Sequence, residues 1–445
     1  MPVKTFRGGV HPADGKSLSA DVKIVRLDAP DELTYLTNQH IGKPAVPVVE
    51  PGDRVLMGQL LARGDGFVSA NIHSAVSGTV KAIGPRMCQT GDIAVAVVVE
   101  NDGAYEAAEG FGEKRDYLRM SNEEIRAAVR EAGIVGMGGA GFPAAVKLSV
   151  KDDSAIGYVL CNGAECEPYI TCDYRLMLER AERAVLGMKI ILRLFENARG
   201  IFGIETNKKE GIRAVQEAIR DSQRITVAPL KQKYPQGGER MLIAALTGRK
   251  INSRQLPADA GCIVFNFHTL CAIADAVCDS IPLIRRVVTI TGEAIAEPSN
   301  FDAPIGMQVS RLIEKAGGYK VEPEKLIAGG PMMGAAIYST EVPLIKTSSC
   351  FLALAHDETK QYSPIECIRC GMCLTTCPER LMPIKLKNTA DVGDYEEFER
   401  LHGLECIGCG CCTFICPSKR RLSQSITIAK RHVLEEKKKA GAKQA

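Results

Sequence analysis

Between residues 22 and 100 apolar and polar positions alternate, and glycines punctuate the alternation, as in VPVVEPGDRV, GQLLARGDG and HSAVSGTVKAI. A period of two puts successive side chains on opposite faces of a strand, so a small all-β module is expected here. The periodicity changes at Ser121. Glu124 follows three residues later, with Ile125, Ala128 and Val129 behind it at helical spacing, which predicts a capping box and a helix start. Strand-like runs at 156–160, 200–205 and 225–229 then alternate with helix-like runs at 174–196 and 209–221. That order belongs to an α/β domain with a largely parallel sheet, which binds ligands at its strand ends. Short strands return from 285 to about 342, with a helix over 308–315 and a GGPMMG turn at 329–334, a small α+β module. The expected division is a β-module at 1–110, an α/β domain at 115–280, an α+β module at 281–350, a cysteine-rich helical segment at 355–425 and a basic tail at 426–445.

No stretch approaches the ~18–20 uncharged apolar residues of a spanning helix; the most apolar run, 184–195, is broken by Lys189 and Arg193. Direct membrane insertion is therefore not expected. The start, MPVKTFRGG, lacks the apolar core of a secretory signal, which points to a reducing cytoplasm and to cysteines that are not disulfides. The net charge of +3 makes no case for nucleic-acid binding. Lys430, Arg431, Lys437, Lys438, Lys439 and Lys443 read as a solvated tail.

The 17 cysteines change the picture. Cys367, Cys370, Cys373 and Cys377 precede Pro378, and Cys406, Cys409, Cys412 and Cys416 precede Pro417, with identical spacing. Doubled C-x2-C-x2-C-x3-C-P runs hold two four-iron clusters, and the fourth cysteine of each run ligates the other cluster. The expected ligand sets are Cys367, Cys370, Cys373 with Cys416, and Cys406, Cys409, Cys412 with Cys377. Zinc, which takes two Cys pairs per ion, does not account for the triplets. Cys411, inside the second run, is expected to be a bystander. Cys161, Cys166 and Cys172 have no ligand spacing and read as small core residues.

Residues 136–147 read GMGGAGFPAAVK, and 161–168 read CNGAECEP after a strand-like run. Glycine density lets backbone N–H groups approach a phosphate or a flat ring. These two segments resemble the flavin- and NADH-binding subunit of respiratory complex I, which carries a GRGGAGFP…K loop and an Asn-Ala-Asp-Glu-x-Glu-Pro segment. Upstream, Pro51-Gly52-Asp53, Gly58-Gln59, His73-Ser74 and Gly78-Thr79-Val80 resemble barrel-sandwich domains related to lipoyl and biotinyl carriers. The expected hairpin tip, 64–70, has no lysine to carry a cofactor, so a docking or structural role is expected. The order of barrel-sandwich module, flavin domain, β-grasp (SLBB-like) module and two-cluster ferredoxin-like segment resembles the RnfC family of Rnf electron-transport complexes along essentially the whole chain.

The resemblance implies bound FMN, with Gly136, Gly138, Gly139, Lys147, Asn162 and Glu165 at flavin-contacting positions. Tyr234 and Glu239 lie in a segment similar to the family's Tyr-x-x-Gly-Glu-Glu, and Glu239 is expected near NADH. Asn266 and Thr269, in VFNFHTL, are expected by the flavin phosphate, and Phe142 on the nicotinamide. Met137, Ala164, Gly238, Phe265 and Val150 depart from the complex I pattern; Val150 replaces a phenylalanine and bears on the mode of dinucleotide binding. The activity implied is hydride exchange between NAD(H) and FMN and single-electron relay through two [4Fe-4S] clusters, with no side-chain acid or base. The setting implied is the cytoplasmic side of the membrane, attached through the membrane subunits of an ion-translocating ferredoxin:NAD oxidoreductase. Two rivals are a soluble reductase similar to the cobalamin reductase of microcompartments, which opens with its flavin domain, and a non-catalytic electron relay.

Overall fold

The computed structural model describes residues 2–442. Four strands, Ile225–Leu230, Arg199–Glu205, Tyr158–Gly163 and Cys262–Asn266, lie side by side in that order, all parallel. Their alternation sorts the core. Val159, Cys161, Ile263 and Phe265 face the helices Ala181–Leu194 and Phe267–Asp279, whereas Leu160, Cys262 and Val264 face the helix Glu239–Thr247. A sheet covered on both faces buries nearly every strand residue, at roughly 1.5–3 kcal/mol for each large apolar side chain. Gly187 makes the tight helix crossing possible, because a Cβ there would sit 2.0 Å from the Leu270 carbonyl oxygen. The capping box is present: Ser121 Oγ accepts from the Glu124 N–H at 3.2 Å and Glu124 accepts from the Ser121 N–H at 2.7 Å. The single helix expected over 174–196 is two, Cys172–Glu179 and Ala181–Leu194, broken at Arg180. Arg180 leaves the helical conformation there, and its guanidinium donates to Asp302 at 2.6 Å.

The β-module is a sandwich of two antiparallel sheets. One orders Glu32–Leu36, Ile93–Asn101, Gly78–Met87 and Arg54–Val55, and the other Val46–Pro47, Leu60–Arg63 and Ile72–His73. Leu33, Val55, Leu61, Val76, Val80, Val97 and Val99 fill the space between them. The third module is a six-stranded sheet carrying the helix Val309–Lys315.

Two expected boundaries differ from the structure. Residues 2–27 are not part of the β-sandwich. Lys4 bridges Leu230 and Val10 bridges Tyr234 on the α/β domain, and Ile24–Arg26 forms the edge strand of the third module's sheet, parallel to Ser299–Pro304. Partners roughly 275 residues away leave no local pattern to read. The expected basic tail is a helix, Leu422–Ala442, whose Leu422, Ile426, Ala429 and Val433 are buried, the last three packing on Leu386 and Phe398. Helical spacing of apolar residues beneath the charges fixes it to the cysteine-rich segment. Lys443 lies outside the described residues.

Candidate functional site

The glycine loop closes on itself through a bridge of Val135 with Pro143 and a 2.9 Å bond from the Gly136 N–H to the Phe142 carbonyl. Gly138, Gly139 and Ala140 stand exposed at its crest. Nothing lies within 4 Å of a Cβ placed on Gly139, whereas one on Gly138 would lie 2.9 Å from Asn266 Cβ. The loop is therefore held from below and open above, a cradle suited to a flat ring or a phosphate. Met137 is its buried anchor: its N–H donates to Thr269 Oγ1 at 3.0 Å and its carbonyl accepts from Arg286 at 2.6 Å. Lys147 donates to the Val264 carbonyl at 2.8 Å and lies 3.6 Å from Glu239, a half-exposed carboxylate at the start of Glu239–Thr247. Lys147 and Glu239 thus form a charged pair, the Glu239 carboxylate 44% exposed. Phe142 is partly exposed on the same loop.

The remaining expected residues are committed elsewhere. Asn266 caps Phe267–Asp279, accepting from His268 and Thr269, and donates to Asp173. Burial, and next the Glu165 charge, push the Asp173 carboxyl up to about 7. Glu165 accepts from the Asp173 and Tyr174 N–H groups at 2.6 and 3.3 Å, so it caps Cys172–Glu179 and reaches the loop only through Asp173 and Asn266. Thr269 and Asn266 thus brace the loop from beneath. Asn162 donates to the Gly237 carbonyl at 2.8 Å and ties two strand-end segments together.

Tyr234, expected among the cofactor-binding residues, lies in the contact with the cysteine-rich segment. It is 1% exposed, its hydroxyl has no partner, and it packs with Cys166 against Cys409 and Cys411 of the second cysteine run. The Cys411 thiol contacts the Tyr234 carbonyl oxygen at 3.8 Å, so this cysteine belongs to the contact between domains. The α/β domain grips the ends of both runs through Arg240, 2.9 Å from Glu405, just before the second run, and 3.4 Å from Glu379, just after the first.

The two cysteine runs repeat their backbone. Arg369 and Gly408, Gly371 and Gly410, and Arg380 and Lys419 occupy equivalent places, and all have φ between 52° and 77°. The Cys377 thiol, raised chiefly by burial to about 11, feels Cys409 and Cys406 of the other run, while Cys373 feels Cys367 and Cys370. Thiols gathered in this way are the donor set that soft iron–sulfur clusters take. Among the described residues no three such side chains converge on a single point; a cubane's four iron corners need a wider cage than one ion does. Cys367 and Cys370 are exposed, whereas Cys409 is buried.

Four family models match in sequence: an RnfC barrel sandwich hybrid domain at 4–104, a Nuo51 FMN-binding domain at 129–275, an SLBB domain at 287–336 and a 4Fe-4S dicluster domain at 366–420. The RnfC component of a proton-translocating ferredoxin:NAD(+) oxidoreductase complex, from Clostridium ljungdahlii, is 45% identical over 89% of this chain and 86% of its own. Its Na(+)-translocating counterpart from Acetobacterium woodii is 40% identical over 98% of both chains. The chain belongs to the RnfC family of ion-translocating ferredoxin:NAD(+) oxidoreductase complexes. The corresponding component of the ion-translocating oxidoreductase complex of Rhodobacter capsulatus is also similar, 40% identical over 89% of this chain and 77% of that one.

As an RnfC protein, the chain carries FMN and four-iron clusters, and the residues present fit both groups. The departures from the complex I pattern are accommodated. Met137 and Ala164 are fully buried, where an arginine or aspartate would need a partner. Phe265 lies under the Lys147 ammonium, 5.7 Å from ring centre to nitrogen, and Val150 packs on the main core. The sequence reading missed a buried network in which Glu165 meets Lys16 at 3.9 Å and Lys208 at 4.0 Å, and Lys208 meets Glu205 at 3.6 Å. Glu205 ends a parallel strand, a placement that could have flagged it; Lys16, on the N-terminal segment, carried no signal. Glu167, pushed by burial up to about 7, accepts from the Met332 N–H at 3.1 Å and joins this region to the SLBB turn.

Proposed function

We propose that the chain exchanges hydride with NAD(H) at an FMN on the 136–142 loop and relays single electrons between that flavin and two [4Fe-4S] clusters. It would do so as the NAD(H)-reacting arm of a membrane ferredoxin:NAD oxidoreductase that moves ions. The observation that carries the reading is the buried contact of Tyr234 and Cys166 with Cys409 and Cys411, which joins the CNGAECEP segment to the second cysteine run. FMN, when bound, supplies the conversion between two-electron exchange with a nicotinamide and one-electron exchange with clusters.

The chain's own residues bind and orient. Gly136, Gly138 and Gly139 present backbone to the flavin, with Lys147 beside them. Met137, Asn266 and Thr269 hold the loop in shape, and Asn162 and Glu165 hold its surroundings. Glu239 and Phe142 face the nicotinamide nucleotide. Cys406, Cys409, Cys412 and Cys377 hold the flavin-side cluster, and the influence of Cys406 and Cys409 on Cys377 supports this exchange of fourth ligands. Cys367, Cys370, Cys373 and Cys416 hold the partner-side cluster, where Cys367 and Cys370 are exposed beside Ile365 and Ile368. No helix among the described residues is long and apolar enough to cross a membrane; attachment at the cytoplasmic face is by the membrane subunits of the complex.

The test is an anaerobic NADH titration of the iron-loaded chain, following flavin bleaching and the paramagnetic signals of reduced clusters. Bleaching with cluster reduction is expected. A flavin unmoved by NADH, with both centres reducible by dithionite, would leave a relay in place of a dehydrogenase.

A further inference from the structure

Arg286 is the second residue of the SLBB strand Arg285–Thr291, and it is 1% exposed. One terminal nitrogen donates to the Met137 carbonyl at 2.6 Å and the other to the Lys346 carbonyl at 2.5 Å, while Nε has no partner. Among the described residues no carboxylate oxygen comes within the 4.0 Å of an ion pair. The anionic groups acting on it are Cys172 and Asp173. Cys172 is a thiol that burial keeps protonated, and burial pushes the Asp173 carboxyl up, towards its neutral form. A guanidinium taken out of water without a paired anion is costly, and it persists where an anion completes it.

The carbonyl it holds belongs to the second residue of the glycine loop, just before its exposed crest. Met137 is thus fixed at both of its backbone polar groups, the N–H by Thr269 and the carbonyl by Arg286. A buried lysine also stands behind the same loop. Lys346 donates to the carbonyls of Asn71 at 2.6 Å and Gly133 at 2.7 Å, and Gly133 precedes the loop by three residues. Gly133 has φ of 63°, and a Cβ on it would meet the Asn71 carbonyl oxygen at 2.2 Å, so the packing there tolerates only glycine.

We infer that Arg286 is a positioning residue for the flavin: it fixes the loop through Met137 and sets behind it a positive charge that favours the reduced, more negative flavin. The inference rests on the loop being the FMN cradle. Hydride transfer moves one proton and two electrons from the nicotinamide to the flavin, so NADH becomes NAD+ and the flavin side gains one negative charge. An uncompensated cation in a region of low dielectric stabilises that added charge without reorganising at the moment of reaction. On this reading the SLBB module acts as the rear wall of the flavin site.

The test uses the full, iron-loaded chain, with FMN removed and then rebound, as Arg286→Met and Arg286→Lys. In Arg286→Met the FMN dissociation constant should rise at least tenfold. The flavin midpoint potential should fall by about 30 mV or more, a tenfold loss of preference for the two-electron-reduced state, with cluster absorption unchanged. In Arg286→Lys the charge stays but one ammonium cannot span both carbonyls, so FMN binding should weaken while the potential holds. Wild-type affinity and potential in Arg286→Met would overturn the inference, and weaker binding at an unchanged potential would overturn its electrostatic half. Should Arg286→Met fail to fold, wild-type FMN affinity in Arg286→Lys would overturn it alone. An unaltered chain that binds no FMN would instead overturn the reading of the loop.

Discussion

The thiol of Cys411 rests 3.8 Å from the carbonyl oxygen of Tyr234, and both are buried. A cysteine that ligates nothing in the proposed scheme is the point at which the flavin domain meets the iron–sulfur segment. The second run is thereby pressed against the flavin domain, whereas Cys367 and Cys370 of the first are exposed.

That asymmetry predicts an order of reduction. In Cys370→Ser, NADH should still reduce the remaining cluster at close to the normal rate. In Cys409→Ser, NADH should bleach the flavin without reducing the first-run cluster, although dithionite reduces it. Rapid-freeze paramagnetic resonance distinguishes the cases, and equal effects of the two variants would contradict the order.

The exchange of fourth ligands makes a separate prediction. Cys377→Ser should impair the same cluster as Cys406→Ser, and Cys416→Ser the same one as Cys367→Ser, as seen in which resonance signal is lost. Loss grouped by run instead would mean that each run holds its own cluster.

Glu239 is 3.6 Å from Lys147 and 44% exposed. Losing its charge should cost the nucleotide rather than the flavin. Glu239→Gln is expected to raise the KM for NADH about tenfold, or ~1.4 kcal/mol, with FMN content unchanged. Steady-state rates with an artificial acceptor and flavin quantitation check both halves.

Burial pulls the Lys346 ammonium down to about 7 from the ordinary 10.5. Between those values the unfolded chain holds a proton that the folded chain has released, so stability rises with pH across that window. Below about pH 7 both states are protonated and the cost of burying the cation is present in full. Lys346→Met should flatten the rise in melting temperature between pH 7 and pH 10. A variant with the wild-type slope would assign the dependence to other groups.

The C-terminal helix gives the simplest stability test. Ile426→Ala, at 1% exposure, should cost about 2–5 kcal/mol and accelerate loss of the clusters on dilution. Lys438→Ala, on the exposed face, should stay within ~0.5 kcal/mol. Chemical denaturation followed by the cluster chromophore measures both.

How much was legible from sequence follows from how local each signal is. The Ser121–Glu124 box and three of the four parallel strands are written in short-range periodicity, and the structure has them in those places; the fourth, Cys262–Asn266, was not read as a strand. The eight cysteines and the glycine loop were visible because chemistry demands fixed spacing. The break at Arg180 was not visible, since the interaction there is with Asp302, on another module. Glu165 looked like a flavin contact because it follows the family's motif; that it caps a helix instead depends on Asp173 and two distant lysines. The 426–445 charges hid Ile426, Ala429 and Val433, which carry the helical spacing.

The strand Ile24–Arg26 pairs with Ser299–Pro304, roughly 275 residues further along the chain. At a synthesis rate of ~5–20 residues per second, the first strand waits on the order of 15–55 s before its partner leaves the ribosome. During that interval Ile24 and Val25 are an unpaired edge, competent to pair with another nascent chain. A fragment begun at the β-sandwich, or at the flavin domain, would lack this strand and leave the SLBB sheet open along Ser299–Pro304. Expression trials that trim the amino terminus should therefore yield aggregates before they yield an isolated flavin domain.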